Sequence, residues 1–171
     1  MKKTLYLFLA ISFVFTACKK EEGCTDPIAS NYNADAEEDD GSCIFSLVGV
    51  WNPYEVSVTA NQTVSMAGQI LQSFDTAYTM TAAEAEIEGN IEFTNAGTVI
   101  TTNDDGNLET DNYSTSGNTI TIIDSYGESS MATYTVSKTN LSFTITDTET
   151  SSDFGAEITS TTEMTINSTR Q

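Results

Sequence analysis

The residues that could do chemistry in this sequence are three cysteines and a crowd of carboxylates, and they meet near the N-terminus. Cys18, Cys24 and Cys43 are the only thiols. Around and between the last two stand Asp26, Asn31, Asn33, Asp35, Asp39 and Asp40, oxygen donors of the kind that hard cations take. Asn31, Asn33 and Asp35 fall at alternate positions, a spacing that suits calcium. An EF-hand loop beginning at Asn31 would need Gly at its sixth position and Glu at its twelfth. Ala36 and Ser42 stand there instead, so that motif is excluded. Glu37 to Asp40 are consecutive acids that repel one another and would gain from a divalent ion. The same stretch also reads as a rigid acidic spacer with no metal.

Other chemistries are ruled out by what is missing. The chain has no histidine, which removes the commonest general base, the commonest zinc ligand and every Ser-His-Asp or Cys-His arrangement. It has no Gly-x-Ser-x-Gly and no phosphate loop. Carboxylate neighbours at Glu84/Glu86 and Asp104/Asp105 sit in polar, turn-like or helix-like stretches, where a solvated face is the ordinary outcome. The expectation is a protein that is not an enzyme. With 25 acidic against 6 basic residues the formal charge is −19, and without Lys2 and Lys3 it becomes −21. A surface that acidic repels phosphates and excludes nucleic acid as a partner.

The first cysteine stands where an export signal ends. Met1-Lys2-Lys3, an apolar run from Leu5 to Phe15, and Thr16-Ala17 have the layout of a signal peptide over residues 1–17. The run is too short for a permanent span. Phe15-Thr16-Ala17-Cys18 resembles the lipobox of bacterial lipoproteins, with Phe15 in place of the usual Leu. The resemblance implies a diacylglycerol on Cys18 and cleavage just before it, giving a tether over residues 18–22. Cys18-Lys19-Lys20-Glu21-Glu22 resembles the surface-export signal of Bacteroidetes-type lipoproteins, which implies an outer-membrane protein facing outward. A lipid on Cys18 leaves Cys24 and Cys43 as one disulfide pair in an oxidising compartment.

Residues 23–43, from Gly23-Cys24-Thr25-Asp26-Pro27 to Asp39-Asp40-Gly41-Ser42-Cys43, resemble an acidic cysteine-bracketed module that recurs in exported proteins of the same bacteria. Its apolar content is so low that a crosslink is what could order it. Closing a loop of that length is worth about 3 kcal/mol on the chain-entropy account.

From residue 44 onward Thr, Ser, Ile, Val, Tyr and Phe dominate, types that suit a pleated surface. Leu141, Phe143 and Ile145 alternate with polar neighbours. So do Ile120 and Ile122, then Ala132, Tyr134 and Val136, then Met164 and Ile166. Turn signals separate them at Asn95-Ala96-Gly97, 103–106, Ser116-Gly117-Asn118, Tyr126-Gly127 and Phe154-Gly155. Short strands at intervals of about ten residues predict an all-β antiparallel barrel or sandwich over 44–171. The exception is Ala67 to Ile87, whose apolar spacing is irregular and whose Ala82-Ala83-Glu84-Ala85-Glu86 favours helix. That stretch reads as a loop or short helix across one end of the sheet.

Gly49-Val50-Trp51 opens the first strand with a Gly-x-Trp that resembles the lipocalin signature, in particular that of lipocalin-like domains of bacterial lipoproteins. The resemblance implies a barrel plugged by Trp51, with a late-strand arginine over its ring. Arg170 is the sole arginine, and the alternative for it is a frayed terminus in water. Phe93, Tyr134, Phe143, Ile145 and Met164 are candidates for the interior. Asp75-Thr76-Ala77 resembles an O-glycosylation acceptor with Thr76 as its site.

Two functions are open. One is a membrane-anchored surface lipoprotein, a monomer whose barrel takes a small apolar or amphiphilic ligand. The other is a structural or adhesion module with a packed barrel and a calcium-binding acidic loop. A cavity of about 300 Å³ or more inside the barrel would separate them.

Overall fold

The computed structural model describes residues 20–102 and 106–171, in two compact units divided between Ile44 and Phe45. In the first unit a disulfide joins Cys24 to Cys43, with Cα atoms 4.8 Å apart. Strands β1 (Glu22–Gly23) and β2 (Glu38–Asp39) form one short parallel bridge. Cys24 and Ala29 are the buried apolar groups of this unit. A segment with so few apolar side chains is held by its crosslink and by turns rather than by a core. Asn31 is the clasp. Its amide donates to the Ser42 carbonyl at 2.6 Å, and its Oδ1 accepts from the Ile44 N–H at 2.7 Å.

The second unit is all-β. Strands β3 (Gly49–Met66), β4 (Gln69–Thr81), β5 (Ile91–Phe93), β6 (Thr98–Thr102), β7 (Leu108–Ser116), β8 (Thr119–Ile123), β9 (Ser129–Val136), β10 (Asn140–Asp153) and β11 (Ala156–Arg170) pair antiparallel. All but β4 run in sequence order around an eight-stranded barrel, which closes where β11 pairs with β3. Closure removes the edges along that wall. The apolar alternation falls inward. Trp51, Phe93, Val99, Ile120, Leu141 and Phe143 form the buried core with Leu47, and Ile91, Tyr113, Ile122, Ala132, Tyr134 and Val136 pack against it. Phe93 meets Tyr113 edge-on at 5.0 Å and Phe143 at 5.6 Å between ring centroids. The Tyr113 phenol donates to the Thr94 carbonyl at 3.0 Å, and burial, then nearby Tyr134, pushes its pKa up.

Three strands, β3, β10 and β11, outrun the barrel, and β4 joins them. Past Val56, β3 keeps β11 on one side and gains β4 on the other, and β10 continues beside β11 to Asp153. The result is a four-stranded arm ordered β10–β11–β3–β4. Its two faces have opposite origins. The face continuous with the barrel exterior is a hydroxyl grid, with Thr144–Thr165, Thr148–Thr161 and Thr150–Thr159 oxygens 2.9, 3.2 and 3.5 Å apart. The face continuous with the interior starts apolar at Val58, Tyr78, Ile145 and Met164 and becomes polar outward.

The loop or helix expected over 67–87 is instead mostly strand β4, entered by a two-residue turn in which Ala67 and Gly68 have φ of 52° and 77°. Both positive angles define the hairpin turn whose twist matches its strands. Only residues 82–86 turn helically, and only once. Thr81 and Glu84 form a reciprocal cap, with the Thr81 N–H donating to Glu84 at 2.9 Å and the Glu84 N–H donating to Thr81 Oγ1 at 3.2 Å. The Ile87 N–H then bonds back to Ala82 and the Glu86 N–H to Ala83, with Glu86 at φ 59°. That left-handed residue ends the helix after its first turn.

Candidate functional site

Two places in the barrel concentrate chemistry, one at each end. At the first, Trp51 is fully buried and its indole N–H donates to the Leu47 carbonyl at 2.8 Å. The Arg170 guanidinium carbon lies 4.2 Å from the ring centroid. Its nitrogens donate to the carbonyls of Lys138 (3.0 Å), Val48 (3.1 Å) and Ser46 (2.7 Å), tying both chain ends of the unit together. Gly49 is required here for two reasons. Its φ is 143°, and a Cβ would come within 2.8 Å of Arg170 Nη1. The Gly49, Trp51 and Arg170 constellation is a plug with no free functional group. Ser168, buried two residues before Arg170, keeps a hydroxyl without a hydrogen-bond partner among the described residues.

The second place is the interior at the other end, where β10 and β11 leave for the arm. A half-enclosed cavity of about 160 Å³ is lined by Ile91, Phe93, Val99, Ile120, Ile122, Ala132, Phe143, Ile145 and Ile166, with Thr101 and Asp111 the polar exceptions. Strand pitch explains the lining. Phe93, Val99 and Asp111 stand opposite one another in register across β5, β6 and β7, so all point inward. Ile120 and Ala132 do the same across β8 and β9. Phe93, Phe143 and Ile120 form the floor, and Ile145, 37% exposed, stands at the rim. The volume falls short of the roughly 300 Å³ at which drug-sized pockets begin. It matches a dry cavity that accepts one benzene-sized group, about 150 Å³. A wider hollow of about 490 Å³ between Thr59, Asn61, Asp75, Thr161 and Glu163 lies on the arm, open to solvent.

Of the interior candidates, Phe93 and Phe143 are buried in the core, Tyr134 packs on it, Ile145 lines the cavity rim, and Met164 continues that face as the partner of Ile145. Sequence reasoning passed over Asp111. It sits in the polar run Glu109-Thr110-Asp111-Asn112, where nothing but strand register reveals that it faces inward.

Five of the six candidate calcium ligands, all but Asp35, use a side-chain oxygen in a turn or clasp. Asp26 accepts from the Ile28 N–H (3.1 Å), Asn33 from Asp35 (3.0 Å), Asp39 from Gly41 (3.0 Å) and Asp40 from Ser42 (2.9 Å), while Asn31 holds Ser42 and Ile44. The side-chain and backbone hydrogen bonds of Ser42 hold the Asp40 carboxyl below its usual range. Among the described residues no group of three or more His, Cys, Asp or Glu side chains is placed to hold a metal ion. Thr76 is exposed in the middle of β4, and its neighbour Asp75 accepts from Asn61. Glu84 caps Thr81 through one carboxylate oxygen, which accepts from the Thr81 N–H and hydroxyl at 2.9 Å each. Cys18, Asp104 and Asp105 lie outside the described residues.

Set against protein-family models, curated proteins and solved structures, the chain gives no match in any of the three comparisons.

Proposed function

We propose that this chain is a lipid-anchored, outward-facing outer-membrane lipoprotein whose lipocalin-like barrel binds the apolar end of a small ligand, without catalysis. One observation carries the binding reading. The barrel is packed solid at its Trp51 end and carries an apolar, half-enclosed cavity at the other. Filling a well-packed barrel with one more aliphatic side chain would stabilise it, so an apolar cavity left beside a complete core is a natural ligand seat. Its size restricts the guest to a ring or short chain, with the rest of the molecule projecting toward the arm. The anchor reading rests on Phe15-Thr16-Ala17-Cys18 and the Lys-Lys-Glu-Glu that follows. Two or three acyl chains, at about 0.8 kcal/mol per buried CH₂, hold a body of charge −21 that an anionic lipid surface would otherwise repel.

A second reading, an adhesion or structural module, is favoured by the arm and by a barrel cavity smaller than the roughly 300 Å³ that a carrier of drug-sized ligands would need. Both faces of the arm are solvated, and β4 presents Ile70 (69% exposed), Leu71 (62%), Phe74 (52%) and Tyr78 (50%) along an unpaired edge. Calcium in the acidic unit belongs to this reading, and the use of its oxygens in turns counts against it.

Native mass spectrometry of the chain purified from its own host tests the choice. A co-purifying small molecule that leaves on denaturation supports the carrier. An empty barrel, with or without one calcium, supports the module.

A further inference from the structure

We infer that the ligand of the barrel cavity is a small organic cation, an ammonium-bearing molecule whose ring- or short-chain-sized body fills the apolar space while its charge meets Asp111. This inference rests on the cavity reading above and names the chemistry of the guest.

Asp111 is half-buried and inward-facing, opposite Val99 in the β6–β7 ladder. It is the only carboxylate among the described residues that line the cavity, and it makes no hydrogen bond or ion pair among them. A carboxylate against an apolar wall costs free energy unless something compensates it. Among the described residues that line the cavity no cation stands beside it. The two basic residues of the barrel unit are Lys138 and Arg170, and both belong to the plugged end, where Arg170 donates to the Lys138 carbonyl. Asp111 is therefore a charge beside an apolar seat with no internal counter-ion. An anionic guest would be repelled, and a purely apolar one would leave the carboxylate uncompensated and partly stripped of water. An ammonium guest fills the space and supplies the missing donor. Thr101 adds a hydroxyl acceptor on the neighbouring strand. Glu109, two residues from Asp111 on the same face of β7, adds to the negative potential, and the charge of the whole chain draws cations toward it.

The size sets the body. About 160 Å³ accommodates a single ring, not a long acyl chain. The guest is then an arylalkylamine or short alkylamine rather than a lipid.

The test uses three probes that share a phenethyl body, on residues 18–171 carrying Cys18→Ser, so that no detergent competes. These are 2-phenylethylamine, its neutral counterpart propylbenzene, and the anion 3-phenylpropanoate. Affinities come from ligand-observed NMR in about 150 mM salt, where screening over about 8 Å suppresses the general pull of the acidic surface. Asp111→Asn is expected to weaken the amine about tenfold, the value of a hydrogen bond to a charged group. It should leave propylbenzene within about twofold and strengthen the anion. Asp111→Ser, smaller but still polar, should give the same loss and guards against a local packing effect of the amide. If propylbenzene binds and the amine is indifferent to both substitutions, the inference is overturned and the cavity reading stands. If no probe binds the wild-type chain, both fall together.

Discussion

Arg170→Ala should cost the barrel about 4 kcal/mol, and the structure supplies the parts of that figure. The guanidinium donates three hydrogen bonds, to the carbonyls of Ser46, Val48 and Lys138. Each is worth about 1 kcal/mol net where water can partly replace it. The contact over Trp51 adds about 1 kcal/mol for a partly desolvated cation–π pair. Urea unfolding with intrinsic fluorescence reads the effect without labels, because Trp51 is the only tryptophan and is fully buried. With a slope of about 2 kcal/mol per molar, the midpoint should fall by about 2 M. Arg170→Lys keeps a charge near the ring but loses the planar fork, and should recover less than half of the loss. Gly49→Ala should approach the Arg170→Ala value, since its Cβ would displace the same guanidinium. An Arg170→Ala chain within about 1 kcal/mol of wild type would contradict this role for the guanidinium. It would mean that water serves the three carbonyls as well as the guanidinium does.

Three more outcomes follow from local geometry. Phe154 and Glu86 hold φ of 47° and 59°, so Phe154→Asn and Glu86→Gly should each stabilise by about 1 kcal/mol in thermal unfolding, by relieving left-handed strain. Hydrogen bonds from Thr81 hold the Glu84 carboxyl below its usual value of 4.5. Its contribution is therefore present above pH 4.5 and lost as pH falls through the lowered value, and Glu84→Gln should flatten that part of the stability–pH curve relative to wild type. Cys43→Ser opens the acidic loop, and hydrogen exchange should lose protection over residues 24–44, where the Glu38 N–H bonds to Glu21, the Asp40 N–H to Gly23 and the Ser30 N–H to Ile44, while the unfolding midpoint of the barrel holds.

The barrel strands were legible because one face of each is apolar. Ile120/Ile122 and Leu141/Phe143 announce both period and direction, and Gly49-x-Trp51 marks where the ladder begins. The arm was not legible for the complementary reason. β4 carries Ile70, Leu71, Phe74 and Tyr78, but both of its faces are solvated, so no buried side sets an alternation, and what makes it a strand is the neighbouring β3 backbone. The Ala67-Gly68 turn was hidden by the alanine, which carries no turn preference of its own. Ala82–Glu86 did signal helix, and its cap at Thr81–Glu84 was there to be read. The left-handed Glu86 that stops it was not. In the acidic unit the same Asn and Asp side chains suit calcium or turns, and only three-dimensional placement shows that their acceptors face backbone N–H groups. Asp111 was invisible because a charged residue in a polar run carries no sign of which way it points.

The most direct measurement is a methyl NMR titration of isotope-labelled isoleucines with benzene. Saturable shifts are expected at Ile91, Ile120, Ile122, Ile145 and Ile166, which line the cavity, and none at Ile28 or Ile70, exposed on the acidic unit and the arm. Unmoved barrel methyls, or shifts confined to Ile70, would contradict a ligand seat in the barrel and leave the arm as the functional surface.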